Sequence, residues 1–192
     1  MAGAKYESIL KVARELFWKH GFKRISVEEL CSTAKVSKMT FYKFFPNKVE
    51  LAKVVFTNES NDAIEKFKNI LRGPGTPAEK IERLVQLKVA GTNEISREFL
   101  IDFYTEGNDG LNDFVKNWSY QSWIEIVAEL RQAQKAGIIS KKVKPELFLH
   151  LTQALAGLVT NPELLSHYDA PSNLINELTY LIAFGILPSK VS

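Results

Sequence analysis

The sequence predicts an all-α protein in which a small N-terminal head is joined by a long helix to a larger helical body. Apolar residues recur at i, i+3, i+4 and i+7 through most of the 192 residues. No alternating β-branched run bounded by Asn-Gly or Asp-Gly predicts a hairpin. Helix-capping residues and Gly or Pro breaks separate the periodic segments, as expected for a series of helices.

The first two helices are predicted from one apolar stripe and one cap. Apolar positions from Tyr6 to Phe17 lie on one face of a helix that ends at Gly21, since glycine is favoured just beyond a helix C-terminus. Ser26 begins the string S-V-E-E, which predicts a capping box with Glu29 and a short helix to about residue 34.

The next two helices are separated by a proline. Ser37 is a cap candidate for a very short helix over residues 38–44, and Pro46 ends that helix. Asn47 is the cap candidate for a long helix over residues 47–71.

The clearest break in the chain, R-G-P-G-T-P at residues 72–77, follows the long helix. Thr76, Pro77 and Glu79 supply a cap, an N1 proline and an N3 acid for the helix that follows. Helices are expected near residues 77–90, 94–106, 110–136, 145–166 and 172–187, with breaks at Gly107, Gly110, Gly137 and 169–171. We place the boundary between the head, 1–50, and the body, 51–192, in the first turn of the long helix.

The head has the pattern of a helix-turn-helix. A turn of about three residues, 35–37, separates the two short helices. The apolar positions Val27, Leu30, Ala34, Val36, Phe41 and Phe45 are expected to face inward. Outward positions on the second short helix are then Lys38, Met39, Thr40 and Lys43.

Charge supports a polyanionic partner for the head. Residues 1–56 contain 11 Lys/Arg and 5 Asp/Glu, a net charge of +6, whereas residues 57–192 contain 14 and 17, a net charge of −3. Phosphates would attract the head and not the body. A lysine-rich solvated surface explains the charge alone equally well.

The same segment resembles the head of the tetracycline-repressor (TetR-like) family of transcription regulators, over about a quarter of the chain. The matching residues are Glu15-Leu16-Phe17, Gly21-Phe22, Ser26-Val27, Leu30, Ala34, Val36-Ser37-Lys38, Thr40-Phe41-Tyr42, Phe45-Pro46-Asn47-Lys48 and Leu51. The resemblance implies a double-stranded DNA partner and the following roles. Base edges would be contacted by the start of the recognition helix, at Ser37, Lys38, Met39 and Thr40. Phosphates would be contacted by Tyr42, Lys43, Lys48 and Ser26.

Two residues depart from the family pattern. Lys35 replaces the turn glycine, so a non-glycine residue is expected in a left-handed conformation. Met39 replaces the glycine within the recognition helix, and its side chain is long enough to pack on a thymine methyl. Both changes bear on which DNA sequence is recognised rather than on the binding mode.

The body is rich in aromatic residues at helical spacing. These form either an ordinary core or the wall of a small-molecule pocket, and the resemblance implies a pocket for a still unidentified effector. The candidate ligand-binding residues are Phe99, Phe103, Trp118, Trp123 and Phe148.

The last two predicted helices, near 145–166 and 172–187, carry more apolar surface than the body needs. The resemblance implies that they form a two-fold four-helix interface in a homodimer. Such symmetry would place two recognition helices ~34–36 Å apart on a palindromic operator.

Nothing in the sequence predicts catalysis, a cofactor or a bound metal. The three histidines, His20, His150 and His167, are scattered, and no Walker, G-x-G-x-x-G or H-E-x-x-H string occurs. The single cysteine, Cys31, and the lack of an apolar signal or membrane segment favour the cytoplasm. We therefore expect a DNA-binding regulator, most simply a repressor released by a small apolar or aromatic ligand. The alternatives are a ligand-independent architectural DNA-binding protein of the same fold and an all-α enzyme using a cavity of the body.

Overall fold

The computed structural model describes residues 2–105 and 110–186, except the side chains of residues 2, 149, 152, 153, 156 and 184–186. Within these residues the regular structure is entirely α-helical, which confirms the predicted class. The helices are α1 (Ala2–His20), α2 (Val27–Thr33), α3 (Lys38–Phe44), α4 (Lys48–Arg72), α5 (Pro77–Thr92), α6 (Arg97–Tyr104), α7 (Leu111–Lys135), α8 (Glu146–Val159), α9 (Pro162–Leu165) and α10 (Pro171–Ile186).

Local capping explains most of the helix starts. The Ser26 hydroxyl accepts a hydrogen bond from the Glu29 amide at 3.1 Å, so Ser26 caps α2 as predicted. The reciprocal bond that completes a capping box is present at α5, where the Thr76 amide donates to Glu79 Oε2 at 2.7 Å. The caps of α2 and α5 are thus set by residues three apart in the sequence.

Two predicted helices differ from the observed ones. α6 begins at Arg97 rather than at residue 94, because Ser96 caps it by accepting from the Phe99 amide. The helix predicted over 145–166 is divided into α8 and α9, because Asn161 caps a new helix and Pro162 has no amide to continue the old one. The predicted break at Gly107 and the predicted helix ends at 106 and 187 lie outside the described residues.

Contacts divide the chain into two compact units. The N-terminal unit comprises Met1–Ser60 and Glu94–Trp118, and the second unit comprises Asn61–Asn93 and Ser119–Ser192. The N-terminal unit therefore includes α6 and the start of α7 in addition to the helix-turn-helix. The predicted boundary at residue 50 was placed between two expected functions and does not coincide with these contact-based units. As a functional boundary it stays a prediction.

The second unit has its own apolar core. Its buried residues are Leu71, Ile81, Val85, Leu130, Ala133, Ile138, Ile139 and Ala183. Helix α5 packs mainly against α10 within this unit. None of the helices among the described residues combines the length and the apolar character required to cross a bilayer.

Candidate nucleic-acid interface

The turn between α2 and α3 is closed by backbone hydrogen bonds. The Val36 amide donates to the Cys31 carbonyl at 2.9 Å, and the Ala34 amide donates to the Leu30 carbonyl at 2.9 Å. Lys35 adopts a φ of 55°, which confirms that a non-glycine residue occupies the left-handed conformation predicted for this position. The turn that joins α2 to α3 therefore contains a strained backbone conformation at Lys35.

This strain leads to a testable prediction. Replacing Lys35 by glycine should stabilise the protein by about 0.5–1 kcal/mol, because relief of the left-handed strain exceeds the extra entropy of the unfolded glycine chain. Lys35→Ala removes the same charge but keeps the strain, so its free energy of unfolding should stay near that of the wild type. Urea unfolding followed by circular dichroism measures the free energy of unfolding of both variants. Equal stability of the two variants would show that the backbone at Lys35 is not strained.

The inner side of α3 is fixed by aromatic residues. Phe41 is fully buried and Phe45, which caps the helix, is 2% exposed. The Tyr6 ring of α1 stacks on Phe45 at 5.3 Å and meets the edge of Phe44 at 5.5 Å. This packing confirms the predicted anchors and leaves the opposite side of α3 outside the core.

The outer side of α3 is open to solvent. Met39 is 83% exposed and Tyr42 is 54% exposed, and Lys38 and Lys43 are exposed as well. A protruding methionine flanked by two cations has the apolar and positive character that suits base edges and phosphates in a major groove. The predicted exposure of this face is confirmed, whereas the contacts assigned to it stay predictions.

Ser37 and Thr40 form a local hydrogen-bonded pair at the start of α3. The Ser37 hydroxyl accepts from the Thr40 amide at 3.1 Å and lies 3.0 Å from the Thr40 hydroxyl. Ser37 is exposed and Thr40 is half-buried. The cap therefore orients the Thr40 hydroxyl before any ligand is present.

Lys38 is paired with a carboxylate of the preceding helix. Its ammonium donates a hydrogen bond to Glu28 Oε1, which raises the pKa of Lys38 and lowers the pKa of Glu28. The sequence predicts Lys38 as a base-contacting residue but gives no sign of this partner, which lies ten residues away on α2. A DNA base or phosphate would have to compete with Glu28 for the Lys38 ammonium.

Lys48 lies at the start of α4 and contacts backbone carbonyls of the α1–α2 connection. Its ammonium donates to the carbonyls of Ile25 at 2.7 Å, Phe22 at 2.8 Å and Lys23 at 3.3 Å, and it lies 4.3 Å from the centre of the Phe22 ring. Lys48 thus links the first turn of α4 to the α1–α2 connection, and the phosphate contact assigned to it stays a prediction.

Helix α6 and its N-cap residue also form hydrogen bonds with the α1–α2 connection and the end of α1, which the sequence analysis did not predict. Asp102 is 9% exposed, and its Oδ2 accepts from the Lys23 amide at 2.8 Å. The Ser96 amide donates to the Trp18 carbonyl at 2.9 Å, at the C-terminal end of α1. These partners are about 80 residues apart in the chain, so no local pattern could have indicated them.

The aromatic residues predicted to bind ligand are distributed over both units. In the N-terminal unit Phe99 and Phe103 are buried and stacked at 4.4 Å, and Trp118 meets the edge of Phe56 at 5.4 Å. In the second unit Trp123 is half-buried, and Phe148 packs against the apolar core. The structure therefore places Phe99 and Phe103 in a core cluster, and a ligand contact by any of the five stays a prediction.

The sequence of this chain is similar to that of known transcription regulators. The family model described as bacterial regulatory proteins, tetR family, matches residues 9–55. The HTH-type transcriptional regulator UidR of Escherichia coli K12 is 27% identical over 138 residues, covering 70% of this chain and 69% of UidR. Residues 9–55 of this chain form a TetR-family head.

Solved structures extend the likeness beyond the TetR-family head. The regulator FadR from Bacillus subtilis, in complex with stearoyl-CoA, superposes with a TM-score of 0.67 at 18% identity, covering 94% of this chain and 99% of FadR. A transcriptional regulator from Saccharomonospora viridis, in complex with choline, has a TM-score of 0.67 at 17% identity, covering 97% of this chain and 99% of that one. At these identities the likeness establishes the fold of the body and not its family or its ligand.

Proposed function

We propose that this protein is a TetR-family transcription regulator that binds double-stranded DNA in a sequence-specific manner through α3. The observation that supports this most directly is the exposed outer face of α3, where Met39 and two lysines project from a helix anchored by Phe41. An α-helix of this kind fits the major groove, in which every base pair presents a distinct pattern.

The residues of α3 divide into two roles. Thr40, with its hydroxyl oriented by Ser37, and the protruding Met39 face base edges, where they determine sequence preference. Lys43 and Tyr42 lie further along the exposed face and contact phosphates, which fix position but contribute little to sequence preference. Ser26, at the start of α2, supplies a further phosphate contact.

This division of roles predicts different effects for two substitutions. Lys43→Ala should weaken binding to all sequences and make the salt dependence shallower by about one unit of slope per protomer. Thr40→Ala should mainly relax the preference at particular base pairs, at a cost of about 1–3 kcal/mol in discrimination. Selection of bound fragments from random duplex DNA, followed by salt titration of the selected site, measures both effects.

Lys135→Ala provides the matched control, because Lys135 is an exposed lysine at the end of α7 in the second unit. Its removal changes the net charge equally and should leave DNA affinity nearly unchanged. Unchanged affinity of Lys43→Ala would remove Lys43 from the interface, and undiminished discrimination by Thr40→Ala would remove Thr40 from the base-contacting set.

The protein acts as a homodimer in this proposal. Exposed apolar side chains occur on α8, at Leu147 and Leu158, and on α10, at Tyr180 and Leu181, with exposed fractions of 40–66%. Pairing of these helices with a second copy would bury that surface and place two recognition helices on successive turns of a palindromic operator.

A charge placed in this surface should prevent pairing. Leu181→Glu is expected to convert the dimer to a monomer at micromolar concentration, because a carboxylate would be buried against apolar side chains. Ile124→Glu on α7, where the isoleucine is 55% exposed, is the matched control and should remain dimeric. Sedimentation velocity distinguishes the two, and a monomeric wild-type protein would contradict the dimer itself.

A small-molecule effector completes the proposal. The solved regulators from Bacillus subtilis and Saccharomonospora viridis hold stearoyl-CoA and choline, so chains of this fold accommodate ligands of very different size and charge. An effector that binds the DNA-free arrangement more tightly would lower operator affinity by a coupling free energy of typically ~1–3 kcal/mol. An architectural DNA-binding protein without an effector would show no such coupling.

A further inference from the structure

Glu28 places a carboxylate beside the recognition helix α3. It lies in the first turn of α2, two residues after Ser26, and its Oε1 accepts a hydrogen bond from the Lys38 ammonium. Both side chains of this pair are more than half exposed. Lys38 is the first residue of α3 and precedes the protruding Met39. The pair therefore adjoins the face that we propose to enter the major groove.

A carboxylate is unexpected on a surface that approaches DNA, because it repels phosphates. An acidic residue in the first turn of a helix stabilises that helix through its dipole, but Glu29 lies in the same turn and has the same effect. Among the described residues, Glu28 is the carboxylate that holds the Lys38 ammonium. Helix stability alone therefore does not account for Glu28, whereas its pairing with Lys38 sets it apart from its neighbour.

The pair presents hydrogen-bond donors next to an acceptor. A lysine ammonium has three hydrogens and Glu28 takes one of them, so two remain for DNA. In the major groove a guanine offers two adjacent acceptors, N7 and O6, and the N4 amino group of its paired cytosine is a donor beside them. The Glu28 carboxylate has further lone pairs that can accept from this amino group. A G·C pair bound in this way leaves the ion pair intact, so it avoids the competition with Glu28 that a phosphate would face.

We propose that Glu28 and Lys38 together recognise one G·C base pair in each half-site of the operator. Lys38 donates to guanine N7 and O6, and Glu28 accepts from cytosine N4. This inference rests on the proposed function, since it assigns one base pair of the sequence that the regulator reads. An A·T pair fits less well, because the adenine N6 donor separates its two major-groove acceptors, adenine N7 and thymine O4.

Selection of bound fragments from random duplex DNA tests the assignment. The wild-type operator should contain a G·C pair at which Lys38→Ala relaxes the base preference at least about fivefold, and Glu28→Ala should relax the preference at that same base pair to a similar extent. Glu29→Ala is the matched control, because it removes the same charge from the same turn of α2. It should keep the wild-type preference at this base pair.

A chemically modified operator tests the Glu28 contact directly. N4-methylcytosine carries a methyl group in place of the amino hydrogen that points into the major groove. Placed at this base pair in both half-sites, it should weaken binding by the wild-type protein at least about fivefold and change the affinity of Glu28→Ala by less than about twofold. The wild-type measurement does not depend on the stability of any variant.

Three results would overturn the proposal. One is a Lys38→Ala variant that relaxes no G·C pair, and another is a Glu28→Ala variant that relaxes a different base pair or none. The third is an N4-methylcytosine operator that the wild type binds normally, or that weakens the wild type and Glu28→Ala equally. Failure of the wild type to select any sequence would count against the proposed function, whereas a selected operator without this G·C pair would count against the Glu28–Lys38 pair alone.

Discussion

Replacing Phe103 by alanine is expected to lower the free energy of unfolding by about 3–5 kcal/mol. Phe103 is fully buried, and its ring lies 4.4 Å from that of Phe99 and 6.0 Å from those of Trp18 and Phe56. Alanine would leave a cavity among these rings, because three helices fix their positions. Urea unfolding followed by circular dichroism and by tryptophan fluorescence measures the loss.

Ile101→Ala is the matched control, because Ile101 lies on the same helix and is 44% exposed. Its cost should stay below about 1 kcal/mol, since little apolar surface is lost from the core. The comparison also tests the sequence-based prediction that Phe103 lines a ligand pocket. A loss for Phe103→Ala no larger than that for Ile101→Ala would indicate that Phe103 faces open space rather than packed rings.

The second large loss of stability is expected when Gly21 is replaced by alanine. Its φ is +79°, and a Cβ added there would lie 2.7 Å from Asp102 Oδ2 and 2.7 Å from the Glu98 Cβ. Gly21→Ala should therefore destabilise the protein by about 2–4 kcal/mol, from left-handed strain together with the displacement of α6. Operator affinity should fall as well, because the connection that leads into α2 would shift.

Gly137→Ala separates these two causes. Gly137 has a φ of +75°, but an added Cβ there would meet no atom within 4 Å. This variant should show only the conformational cost of about 1 kcal/mol. Thermal and urea unfolding of both variants give the comparison, and equal losses would show that the approach of α6 to Gly21 contributes nothing.

The helix-turn-helix can be predicted closely from the sequence because its determinants are local. Ser26 and Ser37 accept hydrogen bonds from amides three residues ahead, and the observed α3 has the predicted bounds. The left-handed Lys35 likewise follows from the turn pattern. Interactions of this kind are complete within one or two helical turns, so a short stretch of sequence contains all of their partners.

The environment of the charged and aromatic residues cannot be predicted in this way. The resemblance implies a phosphate contact for Lys48, but no sequence pattern indicates that its ammonium also lies on carbonyls 23 to 26 residues away. Likewise, no sequence pattern indicates that Phe99 and Phe103 pack against Trp18 of α1. A cationic or aromatic side chain has many partners available, and its spacing along one helix does not select among them.

Local sequence is therefore sufficient to specify the helices, their caps and the exposed face of α3, because capping and amphipathic periodicity depend on residues within a few positions of one another. Packing between distant helices was needed to establish that Asp102 accepts a hydrogen bond from the Lys23 amide and that the Lys48 ammonium lies on the carbonyls of Phe22 and Ile25. Desolvation and charge pairing depend on what surrounds a group in space, and those surroundings come from segments far apart in the chain.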